Sequence, residues 1–185
     1  VQLFQDNMSE IFEPDITKCR GKSYTKVRFI PDYAKFGIDG LKGDILDLIK
    51  TRVYELAGNC TEELEIWLND EIINIKSFED YGSMYLGAKK DNPRLYIKPN
   101  DRWDVIVAQS FSQKMEQISM VNFIKTRSDK GKHIEHVLNT VAKAIQTYVK
   151  TKARSKIDLP LNVIKDNIFL IIRCFIEDPD FDSQK

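Results

Sequence analysis

The sequence of 185 residues is short of several residue types, and each shortage removes a class of protein. Its three cysteines, Cys19, Cys60 and Cys174, lie far apart, are odd in number and follow no Cys-x-x-Cys or Cys/His spacing. That excludes a disulfide scaffold or a zinc site and reads as reduced, buried thiols of an intracellular protein. Glycine (8) and proline (6) are too scarce for a collagenous or low-complexity chain. No run of 18 apolar residues occurs: the longest, Ile168 to Ile176, has nine positions and is interrupted by Arg173. No membrane span is therefore expected. Neither Gly-x-Gly-x-x-Gly nor Gly-x-x-x-x-Gly-Lys-Ser/Thr is present, so no self-contained phosphate cradle can be drawn. The N-terminus has no Met, no basic stretch and no cleavage pattern, and the other end stops directly after a short acidic stretch. Both ends lead to the expectation of an excised piece.

What is present is a charge balance of 28 basic against 28 acidic residues that is unevenly distributed. From Lys114 to Lys156 ten basic residues face three acidic ones, and no acid occurs between Ala142 and Lys156. Lys143, Lys150, Lys152, Arg154 and Lys156 gather at the end of the most clearly periodic helix, where the macrodipole also favours cations. In that helix Ile134, Val137, Leu138, Val141, Ala144, Ile145, Tyr148 and Val149 recur at steps of three and four. A second helix follows Gly43, with Ile45, Leu46, Ile49, Val53, Leu56 and Ala57 as its apolar stripe and Gly58-Asn59 as its stop.

Elsewhere the period falls to two and the residues become β-branched and aromatic. Strands are predicted at Tyr24–Ile30, at Leu64–Leu68 and Ile72–Ile75 around an Asn69-Asp70-Glu71 turn, at Leu95–Ile97, Trp103–Ala108 and Ile118–Ile124, and at Ile168–Ile176. The last is apolar on both faces and so buried on both. With a short helix at Phe78–Leu86, this order implies an α+β fold with helices packed on a largely antiparallel sheet, divided near Lys76–Phe78.

No catalytic constellation is complete. His133 and His136, at i and i+3, lack a partner at metal-ligand spacing. Asp178, Asp180 and Asp182 resemble the opening of a calcium loop, but the sixth position is Ser183 rather than Gly and the closing Glu is missing. The segment Thr126 to His133, with Gly131 and two lysines before a helix start, reads either as a plain strand-to-helix loop or as an anion contact.

The stretch Met120-Val-Asn-Phe-Ile-Lys-Thr126, followed by Gly131-Lys-His133 and the long helix, resembles a signature of type IIA DNA topoisomerases, in which Phe-Val-Asn-x-Ile-x-Thr leads to Gly-Gly-x-His. The eukaryotic kind matches best, because further resemblances run in order along the chain. They are Asp6-Asn-Met8, Phe29-Ile-Pro-Asp-Tyr-Ala-Lys-Phe36, Leu56-Ala-Gly58, Trp67-Leu-Asn69, Lys76-Ser-Phe78, Met84-Tyr-Leu86, Arg102-Trp103, Gln117-Ile-Ser119 and Asp178-Pro-Asp-Phe-Asp-Ser-Gln184.

The resemblance implies a piece of the N-terminal ATPase region: residues 1–77 as the end of a GHKL ATPase α/β sandwich, and 78–185 as the transducer domain with a left-handed β-α-β crossover. It implies that Gln184 matches the Gln of a Gln-Thr-Lys sensor loop reaching the ATP terminal phosphate. Lys185 stands where Thr is usual, so either the motif is altered or the switch lysine lies beyond it. Lys150, Thr151 and Lys152 align with a basic stretch that faces duplex DNA in the family, and Lys150 and Lys152 together with the nearby Arg154 and Lys156 are the expected DNA contacts. ATP and Mg2+ belong to the parent enzyme, with no cofactor expected on this segment. The parent is expected to be a nuclear homodimer, or to sit in a viral or host compartment, with the ATPase lobe and the cleavage core on the same polypeptide. Rival readings are a free-standing basic nucleic-acid-binding module, a small-molecule kinase sharing the crossover, and another GHKL-transducer protein of the mismatch-repair, chaperone or gyrase type.

Overall fold

The computed structural model describes residues 1–18, 20–61, 63–126, 131–151 and 159–181. The chain divides into two compact units, Val1–Asp47 and Leu48–Lys185.

The first unit opens with a hairpin of β1 (Phe4–Gln5) and β2 (Glu10–Ile11), whose turn takes Asp6, Asn7 and Met8 through positive φ. Asp32 organises the next turn: its Oδ1 accepts from the Lys35 amide at 3.1 Å and its Oδ2 from Asn7 Nδ2 at 3.3 Å. The segment Tyr24–Ile30, predicted as a strand, runs without a pairing partner, and Tyr24, Val27, Phe29 and Ile30 are exposed. The reason is that a strand exists through its ladder, and none of the described residues supplies one. No described residue of this unit is buried.

Helix α1 (Asp44–Asn59) follows Gly43, at φ 53°, and carries Asp44 and Asp47 in its first turn, where the dipole favours acids. Its sequence stripe is only partly covered: Ala57 is buried, whereas Ile49 and Leu56 stay 39% and 44% exposed. The hairpin that follows is shorter than predicted, β3 (Trp67–Leu68) against β4 (Glu71–Ile72), with Asn69 and Asp70 both at positive φ as a primed turn requires. Helix α2 (Phe78–Leu86) is capped by Ser77, whose hydroxyl accepts from the Asp80 amide, and ends at Gly87, at φ 70°.

The remaining elements are β5 (Arg94–Asn100), β6 (Trp103–Gln109), β7 (Glu116–Val121), β8 (Ile124–Thr126), α3 (Lys132–Thr151), α4 (Leu161–Asp166) and β9 (Ile168–Cys174). They form a five-stranded sheet in the order β5-β6-β9-β7-β8. Only β7 and β9 are parallel, with α3 in the connection between them, which makes the β-α-β crossover. The predicted strand Ile118–Ile124 is in fact two: Asn122 and Phe123 take φ 49° and 68° and fold the chain back into a hairpin. Helix α4, six residues after Pro160, is too short to show a period and was not expected.

Strand β9 lies in the middle of the sheet and is buried on both faces. Ile168, Leu170, Ile172 and Cys174 pack with Ile134, Leu138 and Ala142 of α3 and Ile164 of α4. Phe169 and Ile171 pack on the opposite face with Phe78, Tyr81 and Leu86 of α2. The result is a sheet between two helical layers, as the alternation in β9 demands. Cys174 is buried and its thiol is pushed up to about 12 by burial, while Cys60 is only half-buried.

Candidate coupling site

Alternation along β9 sends Arg173 to the same face as Phe169 and Ile171, among apolar side chains where a bare charge would be costly. Its partner is fixed by register: antiparallel pairing puts Asp104 of β6 directly opposite. Arg173 Nε and Nη2 donate to Asp104 Oδ2 at 3.0 and 2.8 Å. Its Nη1 donates to the carbonyls of Gly58 and Asn59, at 3.2 Å each, and its guanidinium stands 5.0 Å above the Phe78 ring. Those two carbonyls are end groups of α1 that have no partner within the helix, so one side chain caps α1, pairs with β6 and stacks on α2. Asp104 Oδ1 in turn accepts from the Tyr96 hydroxyl at 2.5 Å. Burial, and then that carboxylate, push the Tyr96 phenol up to about 12.

One turn earlier on α1 stands Glu55, with its side chain 7% exposed. Its Oε1 accepts from Lys125 Nζ of β8 at 2.6 Å and its Oε2 from Arg52 at 2.5 Å. Asn59 Nδ2 donates to the Glu55 carbonyl at 2.7 Å and lies against Met120 Sδ of β7. The close approach rests on Gly58, because a Cβ there would stand 2.4 Å from Cγ of Tyr81. The last turn of α1 is thus held to α2 and to three strands by ion pairs, hydrogen bonds and van der Waals packing.

Just beyond Arg173, where the pairing of β7 with β9 ends, the Asn122 amide donates to the Cys174 carbonyl at 3.0 Å. The Asn122 side chain donates to the Ile176 carbonyl at 2.8 Å and accepts from the Ile176 amide at 2.9 Å. His133 enters from the first turn of α3, its Nε2 2.6 Å from Oγ of fully buried Ser119. Burial pulls its pKa below the usual imidazole value. Its ring covers Gly131, where a Cβ would come within 2.6 Å of Cε1.

Of the residues singled out by sequence, Lys150 sits exposed in the last turn of α3. Lys152, Arg154, Lys156, Gln184 and Lys185 lie outside the described residues, as do positions 127–130 of the candidate anion loop. The structure adds what the charge count did not resolve. Lys132, His136, Lys143 and Lys150 are all exposed, and at steps of four and seven they share one stripe of α3, about 27 Å long. His136 therefore belongs to this outer stripe, whereas His133 turns to the sheet. Arg173, Asp104, Glu55 and Lys125 escaped sequence reasoning, and the one signal was a charge interrupting the longest apolar run.

The DNA gyrase B family matches residues 59–185 of the chain. The chain is 37% identical over 185 residues to the probable DNA topoisomerase 2 of Dictyostelium discoideum, covering 99% of this chain and 12% of that protein. It is 35% identical over 201 residues to DNA topoisomerase 2 of Saccharomyces cerevisiae, covering 100% of this chain and 14% of that one. The crystal structure of the ATPase region of Saccharomyces cerevisiae topoisomerase II superposes with a TM-score of 0.80 at 33% identity, over 99% of this chain and 46% of that chain. The chain thus spans a small part of the relatives it matches. It belongs to the DNA gyrase B family and is homologous, over nearly all its length, to the ATPase region of eukaryotic DNA topoisomerase II.

Proposed function

We propose that this chain is the coupling segment of an ATP-dependent type II DNA topoisomerase, transmitting the nucleotide state of a GHKL domain to a DNA gate and guiding duplex DNA for strand passage. Residues 1–77 are the end of the GHKL domain and 78–185 the transducer. The observation that carries the reading is the Arg173 guanidinium, shared between Asp104 inside the sheet and the last carbonyls of α1. On this division it is a joint across the domain boundary, and Glu55 with Lys125 is a second one. A nucleotide-driven movement of α1 is then passed to β6, β8 and β9 rather than dissipated at a loose junction.

The other partners follow the same reading. The exposed apolar side chains of residues 1–47 and of α1 support a covering ATPase lobe elsewhere on the polypeptide. That lobe holds ATP and Mg2+. Gln184 supplies the sensor for the terminal phosphate, with Lys185 or a later lysine beside it. The parent acts as a homodimer in the nucleus. No helix among the described residues is long and apolar enough to cross a membrane.

Duplex DNA lies along the outer stripe of α3, continued in sequence by Lys152, Arg154 and Lys156. Side chains of this kind hold phosphates and read no sequence. The test is duplex binding by the full-length protein at several salt concentrations, with Lys132, Lys143, Lys150, Lys152, Arg154 and Lys156 changed to Ala singly and together. The expected result is a salt slope that shrinks by about 0.9 for each phosphate no longer neutralised, whatever the DNA sequence. An unchanged slope in the combined variant would remove DNA from this face.

A further inference from the structure

We infer that Asn122 is a positioning residue for ATP hydrolysis, which sets the start of the segment delivering Gln184 to the nucleotide. The inference rests on the sensor reading of Gln184 given above. Its geometric basis is the exit of β9. Parallel pairing of β7 with β9 ends at Val121 and Cys174, where β7 turns away. Ile176 thereby loses a neighbouring strand, and the Asn122 side chain takes the strand's place, offering one donor and one acceptor to the Ile176 backbone at 2.8 and 2.9 Å. Three further interactions hold the residues on either side of Ile176. The Phe175 amide donates to the Arg102 carbonyl at 2.9 Å, and Arg102 pairs with Glu177. The Phe175 ring lies 5.4 Å from that of Phe123.

Few side chains can do this. The position sits at φ 49°, which Asn, Asp and Gly adopt far more readily than other residues. Of these only Asn carries both a donor and an acceptor on a side chain short enough to lie beside its own strand's end. Gln184 is eight residues past Ile176, a reach of at most about 28 Å, so the backbone direction at Ile176 limits where the sensor can arrive.

The test uses the full-length protein with Asn122→Gly, Asn122→Asp and Gln184→Ala. Asn122→Gly keeps the positive φ and removes both side-chain bonds, so the turn survives without the clamp. Asn122→Asp keeps the bond from the Ile176 amide and gives up the other. The expected outcome is a kcat for ATP hydrolysis lowered about tenfold or more in Asn122→Gly, since misplacement remote from the chemistry has effects of this size. The KM for ATP should stay close to the parent's, the fall should be smaller in Asn122→Asp, and the melting temperature should be little changed. Hydrolysis at the parent rate in Asn122→Gly, with Gln184→Ala impaired, would overturn the positioning role alone. A parent-like rate in Gln184→Ala would overturn the sensor reading and this inference with it. A fall in melting temperature matching the fall in rate would mark Asn122 as structural only.

Discussion

Arg173 can keep a charge in the middle of an apolar strand because three acceptors and an aromatic face surround it: Asp104, the carbonyls of Gly58 and Asn59, and Phe78. Side-chain exposures of 14% for Arg173 and 2% for Asp104 put the pair in the regime where removing one member strands the other, at a cost of about 3–5 kcal/mol. In the sequence Arg173 was visible only as an interruption, since its meaning lies in a register partner 69 positions away and a helix end 114 away. Asn122 was visible as part of a family signature, yet the signature does not say that its amide stands in for a strand. His133 carries a prediction of its own. Burial holds its folded pKa below the unfolded value of about 6.5, so the unfolded chain binds more protons as the medium acidifies. The resulting stability is complete above the unfolded pKa and is lost as pH falls through the folded one. Melting temperatures measured from pH 7.5 to 5 should fall more steeply for the parent than for His133→Gln. Parallel curves would contradict this.

Elements were legible where one period ran unbroken. Helix α2 and most of α1 and α3 coincide with their apolar spacing, and β6 and β9 lie within two residues of expectation. Failures have local causes. Ile118–Ile124 reads as one strand because residues favouring β structure continue through it, but Asn122 and Phe123 turn left-handed and the chain reverses. Tyr24–Ile30 has strand composition and no described partner, and pairing cannot be seen in composition. The end of α1 supplies the test at this scale. By helix propensity alone Gly58→Ala would stabilise α1 by about 1 kcal/mol. The Tyr81 ring at 2.4 Å from the added Cβ reverses the sign, because Tyr81 is 1% exposed and has no space to withdraw. Denaturant unfolding should show Gly58→Ala destabilised by about 1–3 kcal/mol. A stabilised variant would mean that α1 does not sit against α2 at this distance.

At the scale of the whole molecule, a well-built sheet between two helical layers occupies residues 48–185, whereas the described part of residues 1–47 buries nothing. Composition could not separate the two, since both carry ordinary shares of apolar residues, and burial depends on what lies opposite. The collinear family resemblance draws its division elsewhere, between residues 77 and 78. On the proposed function, α1 and the sheet move as one through Arg173. The direct measurement is ATP hydrolysis by the full-length protein, with and without duplex DNA, in the parent and in Arg173→Lys. Lysine keeps a positive charge beside Asp104, but its single ammonium cannot match a planar guanidinium in serving the carboxylate and both α1 carbonyls at once. The expected result is basal hydrolysis close to the parent's, with no stimulation by DNA. Stimulation equal to the parent's in a variant that releases α1 would contradict the coupling role.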